Sequence, residues 1–201
     1  MANSWRDRFN RLSGQNRFAV CRILLHLSAQ EVAPLLGLLN RKSQEAIASE
    51  GDLRTLGEGL VDICQTLLQY DLYWRSASNE GDVFWNEEDA ADYLAELFTD
   101  SAERYGDAIE DSAGDASNDL LTLPVTQHLV VMLTVAYEGE SPELETDLAD
   151  MSALKTGLKA LINLHYQDRL RAIQVHFSPA QLGDVLTADQ LLLNFPELVP
   201  L

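Results

Sequence analysis

Lysine and cysteine are nearly missing from this 201-residue chain, and each shortage narrows what it can be. Only Lys42, Lys155 and Lys159 accompany the arginines, so 14 basic residues face 32 acidic ones and the formal charge is -18. A field of that sign repels phosphate backbones, which excludes nucleic-acid binding by the surface as a whole. Cys21 and Cys64 lie far apart, with no CxxC and no metal-ligand spacing. Each sits among apolar residues at helical spacing and reads as a reduced core thiol, with an oxidised pair as the alternative. No apolar run approaches the ~20 residues of a membrane-spanning helix. Met1-Ala2-Asn3-Ser4-Trp5-Arg6 leads into no secretory signal. A soluble, cytoplasmic protein is expected.

Catalytic patterns are also missing. His26, His128, His165 and His176 lack the i, i+4 spacing of a helical metal site; there is no GxSxG and no GxxxxGK[ST], and Gly57-Glu58-Gly59 stands without the rest of a dinucleotide loop. Asp107, Glu110, Asp111, Asp115 and Asp119 suggest calcium, but an EF-hand loop needs an oxygen ligand at position three and Gly at six. Ile109 and Leu120 occupy those places. No catalytic residue, cofactor or metal ligand is assigned. The one constellation that folding could assemble into a hydrolytic or metal site is His165 with His176 and Glu138.

With 46% of its residues apolar, the chain can bury a sizeable core in one compact unit. Its charge is uneven. Arg6, Arg8, Arg11, Arg17 and Arg22 face Asp7 alone, whereas Glu80 to Asp119 holds fourteen carboxylates against Arg104. Ser4 is an N-cap candidate for a short helix that places Trp5, Phe9 and Leu12 on one face, a basic amphipathic arm over 1-15. That arm can dock on its own core, on a partner or on an anionic membrane surface.

Helical periodicity governs 16-106. Phe18, Cys21, Leu24 or Leu25 and Ser28 share one helical face, and Ser28 to Glu31 has capping-box form, with Pro34 forcing a later start or a kink. Asp52 caps a helix with the stripe Leu56, Leu60, Ile63, Cys64, Leu67 and Leu68, in which Gly57 and Gly59 imply a close helix crossing. Tyr70 to Trp74 is an aromatic cluster that reads as core and helix-end packing. Asn86 opens a helix with apolar residues Ala90, Leu94, Leu97, Phe98 and Tyr105. Its opposite face carries Glu87, Asp92, Glu96, Asp100 and Glu103, which must be solvated or bound to something basic. Segment 107-120 reads as an acidic flexible loop.

Region 121-201 changes period. Leu129 to Tyr137 is a doubly buried strand, Leu154, Leu158, Leu161 and Ile162 form a helical stripe after the cap candidate Ser152, and Ile173, Val175 and Phe177 mark a second strand. A right-handed crossover between parallel strands is the simplest connection. Thr187 to Gln190 then has capping-box form before Pro196. The fold class is α+β: a mainly helical N-terminal two thirds packed with a C-terminal β-α-β-α unit.

Three stretches carry a resemblance: Leu67-Leu68 leading to Tyr73-Trp74, the strand Leu129 to Gly139, and Phe177-Ser178-Pro179 followed by Leu186 to Leu201. From Leu53 to Leu201 the chain resembles the domain-of-unknown-function family numbered 1517, found in cyanobacteria and plastid-bearing plants. The resemblance implies a non-enzymatic role, since one plant member is a fluctuating-light acclimation protein tied to photoprotection. Family members usually carry a glycine-rich, membrane-anchoring stretch ahead of the domain. Arg6 to Arg22 stands there instead, which implies a soluble or thylakoid-peripheral protein. The expected function is protein interaction or regulation in a phototroph, through the acidic helix face with the basic arm as a second contact. The alternatives are a hydrolase-like enzyme and a peripheral membrane protein using Trp5 and Phe9.

Overall fold

The computed structural model describes residues 16-28, 33-110, 126-180 and 184-201, and for 105-110 the backbone alone. The elements are β1 (Phe18–Ser28), α1 (Ala33–Ala48), α2 (Leu53–Gln69), a 3-10 turn (Asp71–Tyr73), β2 (Trp74–Phe84), α3 (Glu87–Glu110), β3 (His128–Glu138), α4 (Met151–Tyr166), β4 (Leu170–Ser178), α5 (Ala188–Asn194) and β5 (Val199–Pro200). The five strands form one sheet in the order β4-β3-β1-β2-β5, every neighbouring pair antiparallel. The α+β class holds. The division into a helical front and a β-α-β-α rear does not, because β1 and β2 come from the segment whose periodicity suggested helices.

Phe18 to Ser28 is the central strand rather than a helix. An apolar run buried on both faces carries little period of its own, so its i, i+3 coincidences mimic a helix. Odd-numbered side chains of β1 and β3 enter the main core with α1, α2 and α4, while even-numbered ones face α3 and α5. β2 is polar, and its strand identity comes from pairing along the whole of β1. Gly81 makes that pairing tight: a Cβ there would lie 2.3 Å from the Val20 carbonyl oxygen.

The expected parallel crossover is corrected as well: β3 and β4 are antiparallel neighbours. Residues 139-150 run back along the sheet before the helix begins. Leu144 and Leu148 enter the core there, and the Asn79 amide donates to the Thr146 carbonyl while its oxygen accepts from Leu148 N–H. Helix α4 then returns the chain to the end where β3 finished, and Glu138 N–H donates to the Arg169 carbonyl. A helix alone would make a crossover; a helix plus a return loop reverses the sense.

Helix signals survive better. The Asp52 carboxylate accepts from Thr55 N–H at 2.9 Å, and Thr187 with Gln190 forms a complete capping box. The cap of α4 is Asp150 rather than Ser152, whose N–H it accepts. Pro34 falls in the first turn of α1, where its missing N–H costs nothing. Ser28 is the last residue of β1, so it caps no helix. Gly57 marks the expected crossing, since a Cβ there would meet the His165 ring of α4 at 2.2 Å. Helix α3 continues through Gly106 to Glu110, past the expected end. The arm 1-15 and most of the acidic loop lie outside the described residues.

Two glycine substitutions separate these constraints. Gly81→Ala is expected to lower stability by about 1–3 kcal/mol because a backbone must move. Gly37→Ala, in open space on α1, is expected to raise it by up to about 1 kcal/mol. Urea unfolding of both variants against wild type checks the pair.

Candidate functional site

The sheet face under α3 is unusually polar for an interior surface. In register across four strands, Glu80, Arg22, Thr134 and Gln174 stand side by side on β2, β1, β3 and β4. Arg22 is 2% exposed and Thr134 1%. The apolar contact that holds α3 here is thin, centred on Val20, Ala90, Leu97 and Ala136.

Arg22 compensates for it. Its Nε donates to Glu80 at 2.8 Å, and its Nη1 to the Leu97 carbonyl at 3.2 Å, to Ser101 Oγ at 2.9 Å and to Asp100. Arg104 extends the chain, with Nε 3.0 Å from Asp100 and Nη1 donating to Glu197 and to the Asn194 carbonyl. One network therefore ties β1, β2, α3 and the C-terminal segment together. Burial raises the Asp100 carboxyl, but the hydrogen bond and charge of Arg22, backed by Arg104, hold it below the ordinary range. Beside the network opens a cleft of about 780 Å³ walled by Arg22, Ser78, Tyr93, Glu96, Asp147 and Glu197.

A second polar chain lies two rungs along the same face. His26 Nδ1 is 3.0 Å from Ser76 Oγ, and His26 Nε2 is 3.0 Å from His128 Nδ1. Burial, His128 and then Arg75 push His26 down from 6.5 to about 4, and burial pushes His128 down too. Ser76 beside His26 has the spacing of a nucleophile and its base. Ser76 is buried, however, with strands paired on both sides, and an imidazole held near 4 is a poor proton acceptor at neutral pH. The chain is a structural one.

The residues singled out from sequence are dispersed. Glu87, Asp92, Glu96 and Glu103 line the exposed side of α3 and make no ion pair among the described residues. Asp100 departs from the expectation: it turns inward to Arg22 and Arg104, and so is not free for a partner. Trp5, Arg6, Arg8, Phe9 and Arg11 lie outside the described residues. His165 and His176 do not converge. His165 abuts Gly57 in the α2-α4 crossing, while the His176 ring lies 5.3 Å from the Phe98 ring, tilted by 53°, on the other side of the sheet, and Glu138 pairs with Arg171. No group of three His, Cys, Asp or Glu among the described residues is arranged to hold a metal.

Cys21 and Cys64 are free and buried. Burial, then the charges of Glu145 and Glu80, push the Cys21 thiol up to about 12; burial alone raises Cys64. The aromatic cluster packs as expected, with Trp74 in the core and the Tyr70 and Tyr73 rings 5.8 Å apart. In the sequence Arg22 reads as one of the N-terminal basic residues and His26 as a histidine with no assigned role. Their shared signal is two polar residues four apart in the otherwise apolar run from Phe18 to Leu27, hence on one strand face.

Residues 4–201 match the family described as protein of unknown function, DUF1517. The chain belongs to this family. The match begins well ahead of Leu53, so the family pattern takes in β1 and its buried Arg22. No curated protein and no solved structure matches the chain. No helix among the described residues is long and apolar enough to cross a membrane.

Arg22→Met is expected to cost about 3 kcal/mol, the low end for a broken buried ion pair because Glu80 and Asp100 can rehydrate. Glu96→Gln on the outer face should change stability by less than about 0.5 kcal/mol. Urea midpoints of the two variants test the contrast. The histidine chain predicts a pH slope. Because His26 is depressed in the fold, the unfolded chain takes up a proton that the folded one refuses, so stability falls as pH drops from 6.5 towards about 4. His26→Gln is expected to flatten that part of the profile; an unchanged slope refutes it.

Proposed function

We propose that this protein is a non-enzymatic interaction or regulatory protein of a phototroph, working in the cytoplasm or at the thylakoid periphery in photosynthetic acclimation. It binds a basic protein partner through the outer face of α3. The observation that carries this reading is the split of the helix carboxylates. Asp100 is consumed by Arg22 and Arg104, which fixes the rotation of α3 about its axis. Asp92, Glu96 and Glu103 are thereby held outward, with Glu87 exposed in the first turn, and none of the four has an ion-pair partner among the described residues. A rigid row of carboxylates attracts a basic surface over roughly a Debye length, about 8 Å at physiological salt, and confers fast, salt-sensitive association.

Affinity capture from the native organism tests the proposal. A basic protein is expected to co-elute at low ionic strength and to be lost at high salt. Glu96→Lys combined with Glu103→Lys should weaken its capture about tenfold without changing the thermal midpoint. Retention unaffected by salt and by the double variant would remove α3 as the contact.

A further inference from the structure

The two edges of the sheet are treated differently. Beyond β2, the two-residue strand β5 pairs with Ser76 and Ala77 and the C-terminal segment closes that side. Beyond β4, no strand pairs among the described residues. Strand β4 has the ordinary defences of an edge only at its ends: Arg171 and a register shift at its start, Pro179 after its finish. From Ala172 to Phe177 it carries no charge, no proline and no glycine.

We propose that β4 is the contact through which two copies of this chain pair, antiparallel about a two-fold axis, into one continuous ten-stranded sheet. The register follows from the strand itself. Its midpoint is Gln174, and an axis there sets all of β4 opposite its counterpart. A shift of one residue would put α3 of one copy on the same side as α1 and α2 of the other. With Gln174 on the axis, Ile173 of each copy faces Val175 of the other, a favourable β-branched pair, and Ala172 faces His176. The two Gln174 side chains meet each other. Gln174 Oε1 is buried with no hydrogen-bond partner in a single copy, and turning the side chain towards the axis would bring it to a second amide that can supply a donor.

Charge selects a second copy over most other surfaces of this molecule. A chain of -18 repels itself wherever carboxylates gather. Along β4 the one formal charge is Arg171, already bound to Glu138. The groove beside β4, about 170 Å³, is apolar through Leu56, Ile63 and Phe177, and its rim cation Lys42 is neutralised by Glu45 and Asp62. This edge is the neutral belt of an acidic molecule, and the matching edge of a second copy fits it without opposing like charges.

Sedimentation equilibrium of the full chain at physiological ionic strength tests the pairing. Wild type is expected to be dimeric, and Gln174→Lys and Gln174→Glu, each placing like charges face to face on the axis, to weaken the dimer at least about tenfold. An equimolar mixture of the two variants should restore it, because opposite charges then meet. Native circular dichroism and thermal unfolding confirm that each variant folds, and concentration-dependent hydrogen-exchange protection of the β4 amides in wild type gives a readout free of substitution. A wild-type chain that stays monomeric, variants that dimerise like wild type, or a mixture of folded variants that fails to pair overturns the proposal. So does capture of another protein's strand at β4 by a monomeric wild type.

Discussion

A buried guanidinium sits in the middle of the sheet, and the arrangement of one whole side of the molecule follows from it. Arg22 lies on the central strand, where leaving its charge unpaired would be prohibitive. Its five donors need acceptors within a few ångströms. The neighbouring strand supplies Glu80 in register, and the remaining donors have to be met from above the sheet. That requirement places Leu97, Asp100 and Ser101 of α3 over β1 and fixes both the height and the rotation of the helix.

The two faces of the sheet are held by different physics. Under α1, α2 and α4 the contact is a continuous apolar core from Ala19 to Ile173, so its stability comes from area removed from water. Under α3 and α5 the apolar contact divides into two small clusters, one around Val20 and Leu97, the other around Leu24, Met132 and Phe195. The polar row of Glu80, Arg22, Thr134 and Gln174 separates them. On this face Ser78 Oγ, Thr134 Oγ1, Gln174 Oε1 and His176 Nδ1 are buried without partners. Each is a local cost, so this face is the weaker of the two, and it depends on the ion-pair network for its geometry.

Legibility followed periodicity. Leu56, Leu60, Ile63, Cys64 and Leu67 recur at threes and fours, and Asp52 and Thr187 cap helices as their spacing implied, because helix signals are local. Strand β3 was readable as a β-branched run. Strand β1 was not, since a doubly buried strand has no alternation and its identity lies in partners 47 to 120 residues away. Strand β2 was less visible still: Trp74 to Phe84 is polar, and only pairing with β1 makes it a strand. The same non-locality hid the site. Arg22 looked like part of a basic arm, whereas its charge is spent inside, and Asp100 looked like part of an acidic surface for the same reason.

The distribution of arginines explains why the acidity of this chain shows outwardly where it does. Arg17 holds Glu145, Arg22 holds Glu80 and Asp100, Arg104 holds Asp100 and Glu197, and Arg171 holds Glu138. Apart from Arg104 with Asp100, which lies within α3, each of these pairs joins separate parts of the fold, so the scarce cations are used as fasteners across it. Lys42 and Lys155 do likewise, reaching from α1 to Asp62 of α2 and from α4 to Asp71. Cations so committed do not neutralise a helix face, and among the described residues the carboxylates from Glu87 to Glu103 that point away from the sheet have no ion-pair partner, open to water or to a positively charged surface. A single-signed face of this kind is therefore a by-product of how the interior is fastened, and any partner that binds it draws on electrostatic energy the fold itself does not use.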